Sequence, residues 1–180
     1  MTSILLHCCC GPCTVYIVKW LRERDFEVGA CWYNPNVHPF TEHQKRLESI
    51  QLLAEKLRFP LITVEGYDLV DYFRAVVGHE GKRCPDCYRL RLQKTAQLAH
   101  EKGFDAFTTT LLISPYQSQE QLKEIGEEAG HQNGVKFFYQ DFRSGFRESH
   151  QMSKELGLYH QKYCGCVYSE WDRYGRVKIG

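Results

Sequence analysis

Leu5-Leu6-His7-Cys8-Cys9-Cys10-Gly11-Pro12-Cys13 constrains this chain more than any other stretch. Four thiols fall within six positions, between an apolar run and a helical pattern. Ser3 to Leu6 reads as a short buried strand. Val15, Val18 and Leu21, with Tyr16, Ile17 and Trp20 beside them, read as a helix apolar enough to be packed on more than one side. The thiols then occupy a strand-to-helix turn, where an open α/β sheet keeps its chemistry. Gly11 takes the turn, and Pro12 suits the first helical position because its missing N–H costs nothing there. The positive end of the helix favours thiolate over thiol at Cys10 and Cys13, the form that both metal ligation and redox chemistry use. A free cysteine is often a small core hydrophobe. Four set this closely are not explained by packing alone.

The pattern continues as strand and helix in alternation. Strands are expected at Val28 to Tyr33, Leu61 to Val64, Phe104 to Leu111 and Val135 to Tyr139. A helix opens at Thr41, whose spacing to Gln44 is that of a capping box, and a short one spans Asp68 to Val77. Cys84-Pro85-Asp86-Cys87 repeats the opening geometry, with Cys84 at the N-cap, Pro85 at N1 and Cys87 at N3 of a helix that Gly103 ends. A further helix is capped by Ser118 with Gln121 and closed by Asn133-Gly134. This alternation predicts an α/β fold, a doubly wound parallel sheet of about five strands with helices on both faces. Residues 141–180 break the pattern. They hold one helix, Phe146 to Leu156, and a tyrosine-rich tail with Cys164-Gly165-Cys166, read as an appendage folded back over the sheet. The whole of 1–180 reads as a single domain.

Composition removes several function classes. A formal net charge of +1 gives no global argument for nucleic acid, so any such contact rests on a local patch. No apolar run reaches the length of a membrane span and the N-terminus has no signal-peptide pattern, which predicts a cytoplasmic protein without a membrane partner. Nine cysteines in that setting point to metal or redox use.

The thiols admit three chemistries. Cys10-Gly11-Pro12-Cys13 is the active-site tetrapeptide of thioredoxins, but a thioredoxin needs a β-α unit ahead of it and carries no extra Cys8 and Cys9. That weighs against a thiol–disulfide oxidoreductase. Zinc on Cys9, Cys10 or Cys13 with Cys84 and Cys87 has the right donors. Cys9 and Cys10 are expected to diverge along extended backbone, awkwardly for one ion yet suitably for different irons of a [4Fe–4S] cluster. Spacing alone leaves zinc and the cluster both open.

The Leu6 to Cys13 turn, Cys84-Pro85-Asp86-Cys87-Tyr88-Arg89, Phe107-Thr108-Thr109-Thr110-Leu111 with Ser114-Pro115-Tyr116, and Tyr163-Cys164-Gly165-Cys166 together resemble the epoxyqueuosine reductase family QueH over nearly the whole chain. The resemblance implies a cytoplasmic iron–sulfur enzyme that removes the epoxide oxygen of epoxyqueuosine at the wobble position of tRNA. The product is queuosine, formed by a two-electron reduction without cobalamin. It further implies a [4Fe–4S] cluster on Cys9, Cys10, Cys84 and Cys87, with Cys164 and Cys166 as a redox-active catalytic pair fed by an electron donor the sequence does not name. The fold also resembles the ATP-pyrophosphatase (adenine nucleotide alpha hydrolase-like) domains of tRNA thiolases. The cysteine turn replaces their phosphate loop, so ATP is not expected. Cys8 and Cys13 fall outside the cluster set, and with His7 and Asp86 they form a candidate site for a second metal ion, read as iron. The reading of a different class is a zinc- or cluster-stabilised RNA-binding module without catalysis.

Five basic residues, Lys82, Arg83, Arg89, Arg91 and Lys94, against the single acid Asp86, make the best local patch for tRNA phosphates. Tyr116, Tyr159, Tyr163 and Tyr168 are candidates to stack on an extruded base. Cys31 reads as core, none of the remaining histidines has metal-ligand spacing, and Asp105 and Asp141 are candidate proton donors.

Overall fold

The computed structural model describes residues 1–175. The apolar runs form β1 (Thr2–His7), β2 (Phe26–Trp32), β3 (Leu61–Thr63), β4 (Ala106–Thr109) and β5 (Lys136–Phe137). They pair as one wholly parallel sheet in the order β3-β2-β1-β4-β5. β1 lies at the centre, with Leu5 in register with Gly29 on one side and Phe107 on the other. Covered on both faces, its Ile4, Leu5 and Leu6 are fully buried, which is why it reads as a continuous apolar run.

The chain moves outward from β1 to β3, then returns to the far side of β1 for β4 and β5. Right-handed crossovers in opposite directions place their helices on opposite faces. α1 (Gly11–Arg22) and α2 (Phe40–Leu57) pack together, and after the short α3 (Leu69–Val76), α4 (Cys84–Glu101) packs against α5 (Gln119–Asn133). The expected doubly wound sheet is thus the one observed. The order reverses between β1 and β4, so a crevice opens beyond their C-terminal ends, where the cysteine turn leaves β1.

Several local expectations hold and several shift. Ser118 Oγ accepts a hydrogen bond from the Gln121 N–H, and Gly134, left-handed at φ 66°, follows the last residue of α5. The capping box at Thr41 does not form. α2 begins one residue earlier, with Pro39 at the N-cap, which puts Thr41 inside the first turn. β4 ends at Thr109 rather than Leu111, because the chain tightens into a 3-10 turn over Thr110–Ile113. Gly11 is helical rather than left-handed. Glycine is required there by close approach, since a Cβ would lie 2.5 Å from Ser49 Oγ of α2.

Beyond β5, α6 (Phe146–Glu155) packs on the outer side of α1. Ser149 fixes it, its Oγ donating to the Pro12 carbonyl at 2.5 Å and accepting from the Tyr16 N–H at 3.3 Å. α7 (Val167–Tyr174) is an addition to the expected elements. The appendage expected over 141–180 is described as far as 175; residues 176–180 lie outside the described residues. Among the described residues no helix is long and apolar enough to cross a membrane.

Candidate metal and dithiol site

The alternation of side chains along β1 stops at Cys8, and Cys9 sits in a bend rather than in extended strand. That bend overturns the expectation that Cys9 and Cys10 diverge: their Sγ atoms lie 3.7 Å apart. Cys13, at the third position of α1, completes a trio whose sulfurs all lie within 4.8 Å of one another. Two thiolates on one tetrahedral metal with bonds of about 2.3 Å sit about 3.8 Å apart, so the trio fits a thiophilic metal.

The 3-10 turn that follows β4 supplies the other half of the site. The Thr110 hydroxyl accepts from the Cys9 N–H at 2.9 Å and donates to Cys9 Sγ at 3.1 Å. Hydrogen bonds from Cys10, Cys13 and Thr110 outweigh burial and hold the Cys9 thiol well below its usual range, whereas burial pushes Cys10 up. Cys13 is pushed up by its bonds to Cys10 and Cys9 together with burial. The trio therefore carries its first negative charge on Cys9.

The second metal site drawn from the sequence is not assembled. His7 uses both ring nitrogens, Nδ1 with Thr109 Oγ1 at 3.0 Å and Nε2 with the Tyr33 carbonyl at 3.2 Å. Burial, with the nearby Arg91 charge, lowers it to about 4, so it is a neutral structural imidazole. Cys8 is fully buried with its thiol 3.5 Å from the Leu6 carbonyl, and Asp86 bonds to His79 and Arg89 at the surface. Cys31 is buried beside Thr95, as expected of core.

The second thiol turn differs from the first. Cys84 is the first residue of α4 rather than its cap, because the chain is already helical at Arg83 after a 3-10 turn over Glu80–Lys82. Cys84 is exposed and Cys87 buried; burial raises both, Cys87 to about 12. Cys84 and Cys87 stay outside the trio and neighbour the tail's dithiol instead, with Cys87 packed in one small cluster with Cys166, Tyr72 and Val76.

The dithiol loop is clamped from α2. Arg46, 1% exposed, donates Nε to Glu42 Oε1 at 2.8 Å and its two terminal nitrogens to the Cys164 and Tyr163 carbonyls at 2.7 and 2.9 Å. The His38 N–H donates to the Gly165 carbonyl, and the Tyr163 hydroxyl donates to the His38 carbonyl. Cys164 is left exposed, while Cys166 caps α7 and accepts from the Ser169 N–H at 3.3 Å. Burial opposes its charge, but donors from Tyr72, Ser169 and Arg83 prevail and lower the Cys166 thiol. Ahead of this loop, Gln161 Nε2 donates to Cys10 Sγ at 2.9 Å, closing the trio from the tail side.

A cavity of about 880 Å³ opens between these parts at the switch point, lined by Cys9, Cys13, Cys164 and the two buried arginines Arg46 and Arg91. Tyr116, 85% exposed, and Tyr163 also line it. Tyr159 instead donates to Glu42 at 2.7 Å, and Tyr168 lies under Arg83. Asp105 bonds Ser3 at the opposite end of the sheet and Asp141 pairs with Arg143, so neither faces the cavity.

The family profile described as "Epoxyqueuosine reductase QueH" matches residues 4–172. The chain belongs to the QueH family. A relative from Dehalococcoides mccartyi named epoxyqueuosine reductase QueH is 42% identical, the alignment covering 97% of this chain and 96% of that one. A relative of the same name from Thermotoga maritima is 35% identical over 96% and 93%. Among solved structures, a predicted tRNA methyltransferase subunit from Methanocaldococcus jannaschii shares the fold. Its TM-score is 0.54 at 12% identity, over 86% of this chain and 75% of that one. Within this QueH chain the readings that sequence missed are Thr110, Gln161 and Arg46. Arg46 did leave a signal: Glu42, Arg46, Ile50 and Leu53 share one helical face, which places an ion pair in an apolar stripe. Gln161, in an aperiodic tail, left none.

Proposed function

We propose that this chain reduces epoxyqueuosine in tRNA to queuosine, using a metal–thiolate centre built on the Cys9–Cys10–Cys13 turn and the dithiol Cys164–Cys166. One observation carries the reading: Cys9 and Cys13 line the same cavity as Cys164, at the crevice where open α/β sheets bind ligands. Its volume suits a modified nucleobase, and the reacting ring leaves the stack of the anticodon loop to enter it. The exposed Tyr116 at the cavity wall offers that ring a face to stack on.

The centre is read as the [4Fe–4S] cluster that the family resemblance implies, with Cys9 and Cys10 from the first turn and Cys84 and Cys87 from the second as ligands. When bound, such a cluster supplies electrons one at a time. The residues supply the rest. Thr110 holds Cys9 as an acceptor, Arg46 fixes the dithiol loop, and Cys164 stands exposed toward the substrate while hydrogen-bond donors lower the Cys166 thiol. The 3.7 Å separation of Cys9 and Cys10 favours a second reading of the centre, a single iron or zinc ion on the trio.

Reduced protein incubated anaerobically with tRNA carrying epoxyqueuosine should yield a nucleoside lighter by one oxygen on mass spectrometry. Recovery of unchanged nucleoside from metal-loaded, reduced protein removes the assignment. Iron and acid-labile sulfide at about four each per chain identify the cluster, and metal without sulfide identifies the single ion.

A further inference from the structure

Arg46 and Arg91 are the two fully buried cations of the cavity, and they are partnered very differently. Every nitrogen of Arg46 is engaged, with Glu42 and two carbonyls. Arg91, 2% exposed, uses only Nε, donating to the Cys87 carbonyl at 3.3 Å. Among the described residues no carboxylate lies within ion-pair distance of it. A guanidinium carries five N–H donors, and burying one without a counter-ion is costly, so the position asks for an anion or a strong acceptor. Arg91 lines the cavity, within electrostatic reach of Cys9, Cys87 and Cys164, where the proposed reaction places the substrate.

We propose that Arg91 is a catalytic residue that receives the epoxide oxygen, donating N–H bonds to it as charge gathers there during C–O cleavage. The inference rests on the epoxyqueuosine reading. The reaction it serves balances with the dithiol as reductant. Both C–O bonds of the epoxide break and the carbon–carbon double bond forms. Cys164 and Cys166 close one S–S bond, and their two thiol protons leave on the oxygen as water. Arg91 transfers no proton, since a guanidinium stays charged in a protein. It stabilises the oxygen from a buried guanidinium that is in place before charge develops, so no reorganisation is needed at the moment of reaction.

The test compares wild type, Arg91→Gln and Arg91→Lys. The Gln variant should lose about 10²–10³-fold in kcat, with KM for epoxyqueuosine tRNA raised by no more than about tenfold and iron content unchanged. Lys, which keeps the charge and loses the fork, should recover part of that loss, and added guanidinium ion should partly rescue Gln. A second readout uses metal-loaded protein with its dithiol oxidised, which binds tRNA without turning over. Wild type should bind epoxyqueuosine tRNA about tenfold more tightly than queuosine tRNA, which lacks the oxygen, and Gln should erase that preference. Unchanged kcat in the Gln variant overturns the inference. So does a loss of activity matched by an equal loss of iron, which would make Arg91 a counter-charge to the sulfurs only. Wild-type protein that fails to convert epoxyqueuosine overturns the functional reading itself, and this inference with it.

Discussion

The turns Cys10-Gly11-Pro12-Cys13 and Cys84-Pro85-Asp86-Cys87 share a C-x-x-C spacing with one proline inside it and are opposites in setting. The first is entered from the central strand of the sheet through an extended cap residue, Cys10, and its sulfurs are gathered within 4.8 Å. The second is entered from a 3-10 turn that winds the helix before Cys84 is reached, and it sits at the periphery with Cys84 exposed. A C-x-x-C spacing specifies only that two sulfurs share a helix start. Whether they converge is decided by what precedes them, and whether they are reached by solvent by what packs over them.

The largest test of that contrast is to remove one sulfur from each turn. Cys9→Ser should leave a protein that retains no iron and has no turnover. Cys84→Ser should lose the cluster and its sulfide yet keep up to one metal ion on the intact trio. Metal analysis after anaerobic reconstitution decides it, and equal metal retention in both variants ends the distinction between the turns.

Acid should loosen the first turn through His7. The folded protein keeps this imidazole neutral down to about pH 4, whereas the unfolded chain takes up a proton near 6.5. The unfolded state therefore binds more protons across that interval, and stability falls as pH drops from 6.5 towards 4, by about 3 kcal/mol from this residue. Urea unfolding at pH 7.5 and 4.5 should show the loss, and His7→Gln should flatten it. An equally steep loss in the variant assigns the acid sensitivity elsewhere.

Thr110→Val removes the hydroxyl that bridges the Cys9 N–H and Sγ, and should weaken metal retention about tenfold without unfolding the sheet. A chelator competition checks this, and wild-type retention would make the bridge incidental. The smallest effect belongs to the second turn. Lys82 is exposed and Arg89 largely so, while Arg91 is buried in the cavity and drops out of the expected phosphate patch. If Lys82 and Arg89 meet the tRNA backbone, replacing both with Ala lowers the salt slope of binding by about 0.7 to 0.9 per lost contact. A parallel slope leaves them as a solvated face.

The order of strands and helices was legible because the buried parts of β1 and β2 are mostly apolar runs and α5 carries readable signals at both ends, Ser118 and Gly134. α7 was not, because its stripe of Val167, Trp171 and Tyr174 covers only two turns and none of its residues is buried. At the site, the first turn was legible as a density of thiols on a strand-to-helix junction. Its geometry was not, since the bend at Cys9 depends on Thr110, 101 residues away. The Arg46 clamp and the Gln161 contact are likewise long-range pairings, fixed by the tertiary fold rather than by any local period.

The contact from Gln161 to Cys10 spans 151 residues. At synthesis rates of about 5–20 residues per second, the ribosome emits the thiol trio roughly 8 to 30 s before the residue that closes over it. β4, followed by Thr110, arrives in between. A nascent chain thus presents three clustered sulfurs with no tail across them, and the dithiol partner has yet to be translated. Metal that enters in that interval meets all three sulfurs uncovered, whereas in the finished protein Gln161 lies on Cys10 and the cavity gives access to Cys9 and Cys13. The timing of delivery, as much as affinity, then governs which ion the turn acquires.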